Sequence, residues 1–367
     1  ALFDICEIQS QPNVYHIGYM LGPRINAGGR VGRSSHGANL LISNNSKDVF
    51  KIACELDNFN KERQILEREV LDKILMELGN TVKDPVIIVN GKNWHEGVIG
   101  IVAARLLDIY NRPTAILSGS NSDTFTGSVR SKGTFSVLDL LHYCSEFLDR
   151  YGGHKYAGGF TVKAINLGKL QDKVDEFSNK WAHNRNLRKS IKPEANVKIS
   201  NINEDFWNKL SILQPYGIDN PKPIFWTSKC LITDIRILKG SHSKVSLTQG
   251  NYTINAIFWN QQILDFKNKV VDIAFHIFLN NWNNKCKLEL EIKAIRLSSD
   301  NLTIKKLDHL YKIKLLKGKT ISIKNKKGDE ILGDILDNGD ILLDAKDNIP
   351  YIFNLFKEAS IALGESI

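Results

Sequence analysis

Cysteine is scarce and unpaired in this 367-residue chain: Cys6, Cys54, Cys144, Cys230 and Cys286 lie far apart and never form a C-x-x-C pair. An odd, scattered set suggests neither a disulfide framework nor a zinc ribbon, and it fits a reducing, cytoplasmic compartment. No apolar run reaches the ~18 residues that a membrane helix needs, so no membrane partner is expected. The first residues also lack the basic-then-apolar layout of a signal peptide. There is no internal repeat. What is present is ordinary globular material, 42% hydrophobic and 24% charged, which argues against wholesale disorder. At roughly 100–200 residues per domain, the length predicts two or three domains.

The charge is lopsided. Residues 1–80 carry 9 basic and 10 acidic side chains, residues 81–185 carry 13 and 10, and residues 186–367 carry 27 and 20. A basic excess in the C-terminal half is compatible with a polyanionic partner and does not by itself identify one.

The chain opens on Ala1, without an initiating Met, and reads as a fragment. From Ser46 to about Leu78 apolar residues recur at three-to-four spacing, which predicts one long amphipathic helix with Ser46 as N-cap and Gly79 as its stop. An alternation follows: strand 85–89, helix 98–110, strands 114–117 and 126–129, helix 136–150, strand 160–162 and helix 167–181. Such alternation predicts an α/β domain. After a basic joint at 184–192 come five β-rich runs in roughly a hundred residues, the pattern of a small barrel such as the OB fold. Beyond Asp300 lies a Lys- and Gly-punctuated, β-rich segment whose DNGD (337–340) reads as a hairpin turn, suggesting a small SH3-like barrel.

Three clusters carry chemistry. Gly22-Pro23-Arg24-Ile25-Asn26-Ala27-Gly28-Gly29-Arg30 combines glycines with Arg and Asn donors, equipment suited to a phosphate; as a bare structural element it is a tight turn with solvated arginines. Gly127-Ser128-Val129-Arg130-Ser131 is followed by Gly152-Gly153-His154-Lys155-Tyr156-Ala157-Gly158-Gly159. This reads as a compact loop whose N–H groups point at an anion, or as a plain connection into the next strand. Asn93-Trp94-His95-Glu96-Gly97 precedes a helix, a place that favours anions, although His95 and Glu96 serve equally as capping residues.

In order and spacing these clusters resemble the RecJ family of single-stranded-DNA-specific exonucleases, in the DHH phosphoesterase superfamily. GPRINAGGR is similar to the last motif of that family's catalytic domain, with Gly28 where an Ala is usual. NWHEGVIGIVAARL, GSVRS and YGGHKYAGGF are similar to motifs of its DHH-associated domain, and LQPYGIDNPKPIF with the later GSHSK resembles the entry to its OB domain. The resemblance runs from about Asn13 to Arg296. It implies an α/β plus β chain in five parts: the end of a DHH catalytic domain (1–45), a connecting helix (46–80), an α/β DHH-associated substrate-binding domain (81–188), an OB-fold barrel for single strands (189–300) and a small β-rich tail (301–367).

The resemblance further implies a 5′ to 3′ exonuclease acting in recombination and repair on single-stranded DNA. Asn26 and Arg30 would reach a phosphate near the scissile bond. Arg24, His95, Ser128, Arg130, Ser131, Gly152, Gly153, His154 and Lys244 would bind substrate. The family's two divalent metals, Mn²⁺ or Mg²⁺, are held by Asp-rich motifs and an Asp-His-His triplet, and this sequence has no D-x-D and no D-H-H. Two-metal hydrolysis needs several bridging carboxylates. The chain alone is therefore expected to lack a metal site and to be inactive, a separate N-terminal half being the implied partner. Other readings are a phosphodiesterase for short oligonucleotides or cyclic dinucleotides, and a non-catalytic nucleic-acid-binding module. The OB-like segment offers Phe225, Trp226, Tyr252, Phe258, Trp259 and Trp282 among Lys222, Lys229, Lys239, Lys244 and Lys285, and two of the six aromatics are expected to face solvent as stacking platforms.

Overall fold

The computed structural model describes residues 1–8, 12–79, 81–119, 123–183, 187, 191–217, 219–238, 242–282, 285–307, 309–336, 341–343 and 350–364. The chain divides into two compact units, residues 1–189 and 190–367. Among the described residues no helix is long and apolar enough to cross a membrane.

The first unit opens with α1 (Leu2–Ile5), a π-helical turn over His16–Leu21, α2 (Gly22–Val31), α3 (Ser35–Ile42) and the 33-residue α4 (Ser46–Leu78). The apolar stripe of α4 buries Ala53, Leu56, Val70, Leu71 and Ile74. Its N-cap is Asn45, one residue earlier than the sequence reading: the Asn45 side chain accepts from the Lys47 N–H at 3.0 Å. An Asx side chain in extended backbone satisfies an orphan helical donor better than a serine already inside the first turn. At the other end Gly79 takes φ 65°, where a Cβ would be strained.

An α/β layer follows: β1 (Ile87–Lys92), α5 (Glu96–Tyr110), β2 (Thr114–Gly119), β3 (Thr124–Arg130), α6 (Val137–Tyr143), β4 (Leu148–His154), β5 (Ala157–Lys163) and α7 (Leu167–Ala182). The sheet order is β1-β2-β3-β5-β4. β1 and β2 are parallel, linked by the α5 crossover, and the other pairings are antiparallel. One face packs on α4 and α5 through Ile87, Val89 and Ile116. The opposite face packs on α6 and α7 through Ala115, Leu117, Val129, Phe160 and Val162. β2 is buried on both faces, as a central strand between helix layers should be.

Two expectations are corrected here. The helix anticipated over 136–150 stops at Tyr143, and its last residues turn into β4. Gly152-Gly153-His154 is consequently a strand and not an anion-cradling loop, paired rung for rung with Gly159, Gly158 and Ala157. The reason is packing: a Cβ on Gly158 would lie 2.7 Å from Leu141 and 2.8 Å from Val137, and one on Gly153 would lie 2.3 Å from the Ala157 carbonyl oxygen. Only bare backbone lets this hairpin lie flat on α6.

In the second unit β6 (Ala195–Asn196) and α8 (Glu204–Ser211) lead to β7 (Phe225–Leu238), β8 (His242–Gln249), β9 (Tyr252–Phe258), β10 (Val270–Trp282) and β11 (Lys285–Leu297). β7 pairs with β8, β8 with β9, β9 in parallel with β11, β11 with β10, and β10 back with β7. That circuit is a closed five-stranded OB barrel. The tail forms an antiparallel meander, β12 (Asn301–Lys306), β13 (His309–Leu315), β14 (Thr320–Lys324), β15 (Glu330–Ile335) and β16 (Ile341–Leu343), backed by α9 (Pro350–Leu363). The tail is β-rich as expected. It is an open meander among the described residues, however, and its core is completed by α9 through Leu355, Phe356, Ala359 and Leu363, a helix the sequence reading lacked. The DNGD turn lies outside the described residues.

Candidate nucleic-acid interface

The segment Gly22–Arg30 is helical, not a turn. Pro23 sits in the first turn of α2, where its fixed φ and missing N–H are harmless. The bare Cα of Gly28 lets α2 lie on α4: a Cβ there would be 2.8 Å from the Arg33 carbonyl oxygen and 3.2 Å from Leu56. Asn26 and Arg30, four residues apart and both exposed, share one face of the helix. Arg30 Nη1 donates to the Gly97 carbonyl at 3.1 Å. A Cβ on Gly97 would lie 2.2 Å from the Arg30 carbonyl oxygen, so the end of α2 meets the start of α5 backbone to backbone.

His95 is the N-cap of α5. Its Nδ1 accepts from the Gly97 N–H at 3.0 Å, which leaves Nε2 to carry the proton of the neutral ring. Next to it, Gly100 provides a slot, because a Cβ there would lie 2.7 Å from Arg130 Nη2 and 2.9 Å from Ser128 Oγ. Arg130, the last residue of β3, donates to Ser128 Oγ at 3.0 Å. Burial pushes the Arg130 guanidinium below its ordinary pKa, and the nearby positive charge of Arg30 pushes the same way.

The sheet register extends this site sideways. Arg130 pairs with Ala157, which pairs with His154; Ser128 pairs with Gly159, which pairs with Gly152. Directly paired residues point to the same face, so Ser128, Arg130 and His154 share a face with the glycine floor of Gly152 and Gly159. By strand spacing, Arg130 and His154 stand about 10 Å apart at the backbone. Nothing lies within 4 Å of a Cβ built on Gly152, and the nearest atom to one on Gly159 is 3.6 Å away. Packing does not demand glycine at these two positions. Their effect is an open, flat floor between two cationic or hydrogen-bonding edges.

Beneath the arginines lies a network the sequence reading missed. Glu67 on α4 is 1% exposed and accepts from Arg63 Nη1 at 2.9 Å, while Arg105 of α5 pairs with its other oxygen. Arg63 Nη2 also donates to Asn60 at 2.9 Å. Burial lowers the Arg63 pKa, Glu67 opposes that, and Arg30 and Arg105 add to it. Arg30 thus lies within electrostatic range of both Arg63 and Arg130, and Arg63 and Arg105 share one buried carboxylate. The signal was present as Asn60, Arg63 and Glu67 at three- and four-residue spacing, but on an amphipathic helix such spacing ordinarily marks a solvated face.

Three anticipated ligand residues are otherwise engaged. Arg24 donates to Asp57 at 2.8 Å and to the Met20 carbonyl at 2.8 Å, bracing α2 on α4. Ser131 is buried, with its hydroxyl on the Phe135 carbonyl at 3.0 Å, and it fastens a loop. Lys244 is paired at 2.9 Å with the buried Glu289, which also accepts from Asn280. In each case a short-range polar motif is consumed by the fold, because a buried partner must be satisfied.

Burial alone would raise Asp57, but hydrogen bonds from Lys61 and Arg24 outweigh it and hold the carboxyl below its usual range. A carboxyl depressed in the folded state contributes stability above its unfolded pKa of about 3.9 and loses it as pH falls through the lower folded value. The stability of the first unit should therefore drop below about pH 4, and more shallowly in Asp57→Asn; acid titrations followed by circular dichroism with identical limbs would count against this.

In the barrel, Phe225 and Phe258 belong to the core and Trp226 is half-buried. Tyr252 and Trp259 are 56% and 45% exposed, and Trp259 is held edge-on by His242 at 4.9 Å. Among the described side chains these two are the available stacking platforms. Lys222 is half-buried beside Glu291 and Lys293, and Lys229 is exposed. The side chains of Trp282 and Lys285, with Lys239, Gly240 and Ser241, lie outside the described residues.

The first unit thus carries an α/β sheet with an arginine-edged glycine floor, and the second a closed five-stranded barrel with exposed aromatics. Residues 83–180 match the DHHA1 domain model and residues 194–294 match the RecJ OB domain model. The single-stranded-DNA-specific exonuclease RecJ of Bacillus subtilis is 28% identical over 295 residues, covering 78% of this chain and 38% of that protein. RecJ of Thermus thermophilus is 27% identical over 282 residues, covering 76% and 40%. A crystal structure of RecJ from Thermus thermophilus in complex with Mg²⁺ superposes with a TM-score of 0.68 at 25% identity, over 81% of this chain and 46% of that one. The chain is similar to RecJ proteins across both of these domains, and it spans about two-fifths to half the length of the curated relatives it matches.

Proposed function

We propose that this chain is the C-terminal, substrate-holding part of a RecJ-type 5′ to 3′ single-stranded-DNA exonuclease of recombination and repair. The observation that carries the reading is the meeting of Arg30, Arg130 and Ser128 beside the open glycine floor. Two guanidinium forks and a hydroxyl converge where an anion would relieve an excess of positive charge, the chemistry that fixes a terminal phosphate. The floor of Gly152 and Gly159 accepts a flat nucleotide without side-chain interference, and His154 stands at its far edge. Arg30 and Asn26, on the helix from the catalytic-domain side, would contact a neighbouring phosphate. Rigid backbone around the end group supplies positioning, which is the larger share of phosphoryl-transfer catalysis outside the metals. Within the barrel, Tyr252 and Trp259 would stack bases of a single strand at ~1–3 kcal/mol each.

The Mn²⁺ or Mg²⁺ chemistry of the family does not fit the residues described here. No group of three or more His, Cys, Asp or Glu converges among them, and the site is built of arginines. The ions' ligands would come from a separate N-terminal half. Small dinucleotide substrates are disfavoured because they leave the exposed aromatics of the barrel unused. The test is direct binding, by fluorescence anisotropy, of otherwise identical 5′-phosphorylated and 5′-hydroxyl single strands to the full chain. Tighter binding of the phosphorylated strand is expected; equal affinity would remove the 5′-end role.

A further inference from the structure

Charge in the tail is segregated along the sequence. Residues 301–327 carry nine lysines against one aspartate, while residues 328–367 carry two lysines against nine acidic residues. The meander turns that separation into a surface. Ile313, Ile321 and Ile323 point inward to α9, so the residues alternating with them, Lys312, Lys314 and Lys324, point outward, and all three are exposed. Lys305 pairs with Leu310 on that same outer face. Lys312 stands directly opposite Lys324 in the β13–β14 register. Lys324 is compensated by Glu330 at 3.0 Å, and Lys314 adds to the positive field that lowers the Glu330 carboxyl, whereas neither Lys312 nor Lys314 makes a hydrogen bond or close ion pair among the described residues. Like charges set directly across a ladder destabilise it. Neither the stability of the meander nor its core accounts for this lysine face.

We propose that the outer face of β12, β13 and β14 is a second binding surface for the sugar-phosphate backbone of single-stranded nucleic acid, adjoining the barrel. Lys312 and Lys314 repeat about 6.8 Å apart along their strand, a spacing that a regularly charged backbone can follow. The outer face carries no aromatic platform among the described residues, so contact is electrostatic and independent of sequence. A polynucleotide is favoured over an acidic peptide by continuity with the barrel. Only residues 298–300 separate β11 from β12, and the end of α9 is locked to the barrel by Arg296 Nη2 on the Ala362 carbonyl at 3.0 Å and Ser228 Oγ on the Gly364 carbonyl at 3.2 Å. A strand leaving the barrel meets a charged surface fixed beside it; this step rests on the barrel holding a strand, as proposed above.

The test compares the full chain with Lys312→Gln/Lys314→Gln, using a single strand of about 10 nucleotides, within the ~4–16 that an OB barrel covers, and one of about 40. Expected is unchanged affinity for the short strand, weaker binding of the long one, and a salt slope for the long strand smaller by about 1.4, from ~0.7 per lost phosphate contact. The Lys312→Arg/Lys314→Arg variant should keep the parent slope. The thermal midpoint of the Gln variant should equal or exceed the parent's, since a repulsion is relieved. An unchanged long-strand slope overturns the proposal, including the case where the same variant loses binding to poly-glutamate, which would make the surface an acidic-peptide site. If the parent binds the long strand in a Lys312- and Lys314-dependent way but not the short one, the 5′-end reading fails and the tail surface stands. If it binds neither, both fail.

Discussion

Replacing Arg130 by alanine should cost roughly 1.5–3 kcal/mol of affinity for a 5′-phosphorylated strand, the worth of hydrogen bonds to a charged group, or about ten- to a hundredfold. Affinity for the 5′-hydroxyl strand should stay within about twofold of the parent, since stacking and backbone contacts are untouched. The expected effect is thus a loss of discrimination more than a loss of binding. Arg130 is poised for this because its slot against Gly100 fixes its orientation before any ligand arrives, and its charge is crowded by Arg30 in the absence of one. Lysine at the same position should recover little, because one ammonium cannot reproduce a planar fork. If Arg130→Ala weakens both strands equally, the residue serves the sheet and not the end group.

The second large effect concerns stability. Glu67→Ala should destabilise the first unit by about 3–5 kcal/mol, because it leaves Arg63 buried without its counter-charge. Arg63 and Arg105 both depend on that one carboxylate. For a unit of this size the change corresponds to a fall of roughly 10 °C in thermal midpoint. A Glu67→Met/Arg63→Met double variant should recover most of the loss, since apolar residues of similar volume often replace a buried pair at little cost. Calorimetry showing the single variant as stable as the parent would mean that the network carries no energetic weight.

Much of the architecture was readable before any coordinates. Three-to-four apolar spacing over more than thirty residues specifies α4 almost end to end, since only an amphipathic helix buries Ala53, Leu56, Val70 and Ile74 together. Alternating strand and helix patterns gave the α/β layer, and five short β runs gave the barrel. The errors cluster where glycine is dense. Glycine propensity favours turns, yet Gly28 is helical and Gly152, Gly153, Gly158 and Gly159 are in strands. Packing against Leu56, Leu141 and Val137 overrides a weak local preference at Gly28 and Gly158.

By itself the sequence determined which chemistry is available: the arginines, the serine, the glycines and their order, and with them the family resemblance. It could not decide which donors remain for a ligand. Arg24, Arg30 and Arg130 look alike on paper. Asp57 takes the first into the scaffold, while the Gly97 and Gly100 contacts hold the other two beside an open floor. That allocation depends on contacts between residues 30 to 70 positions apart in the chain, brought together only when the helices and the sheet pack. Desolvation then makes each buried partner obligatory and leaves for function only what the fold does not consume.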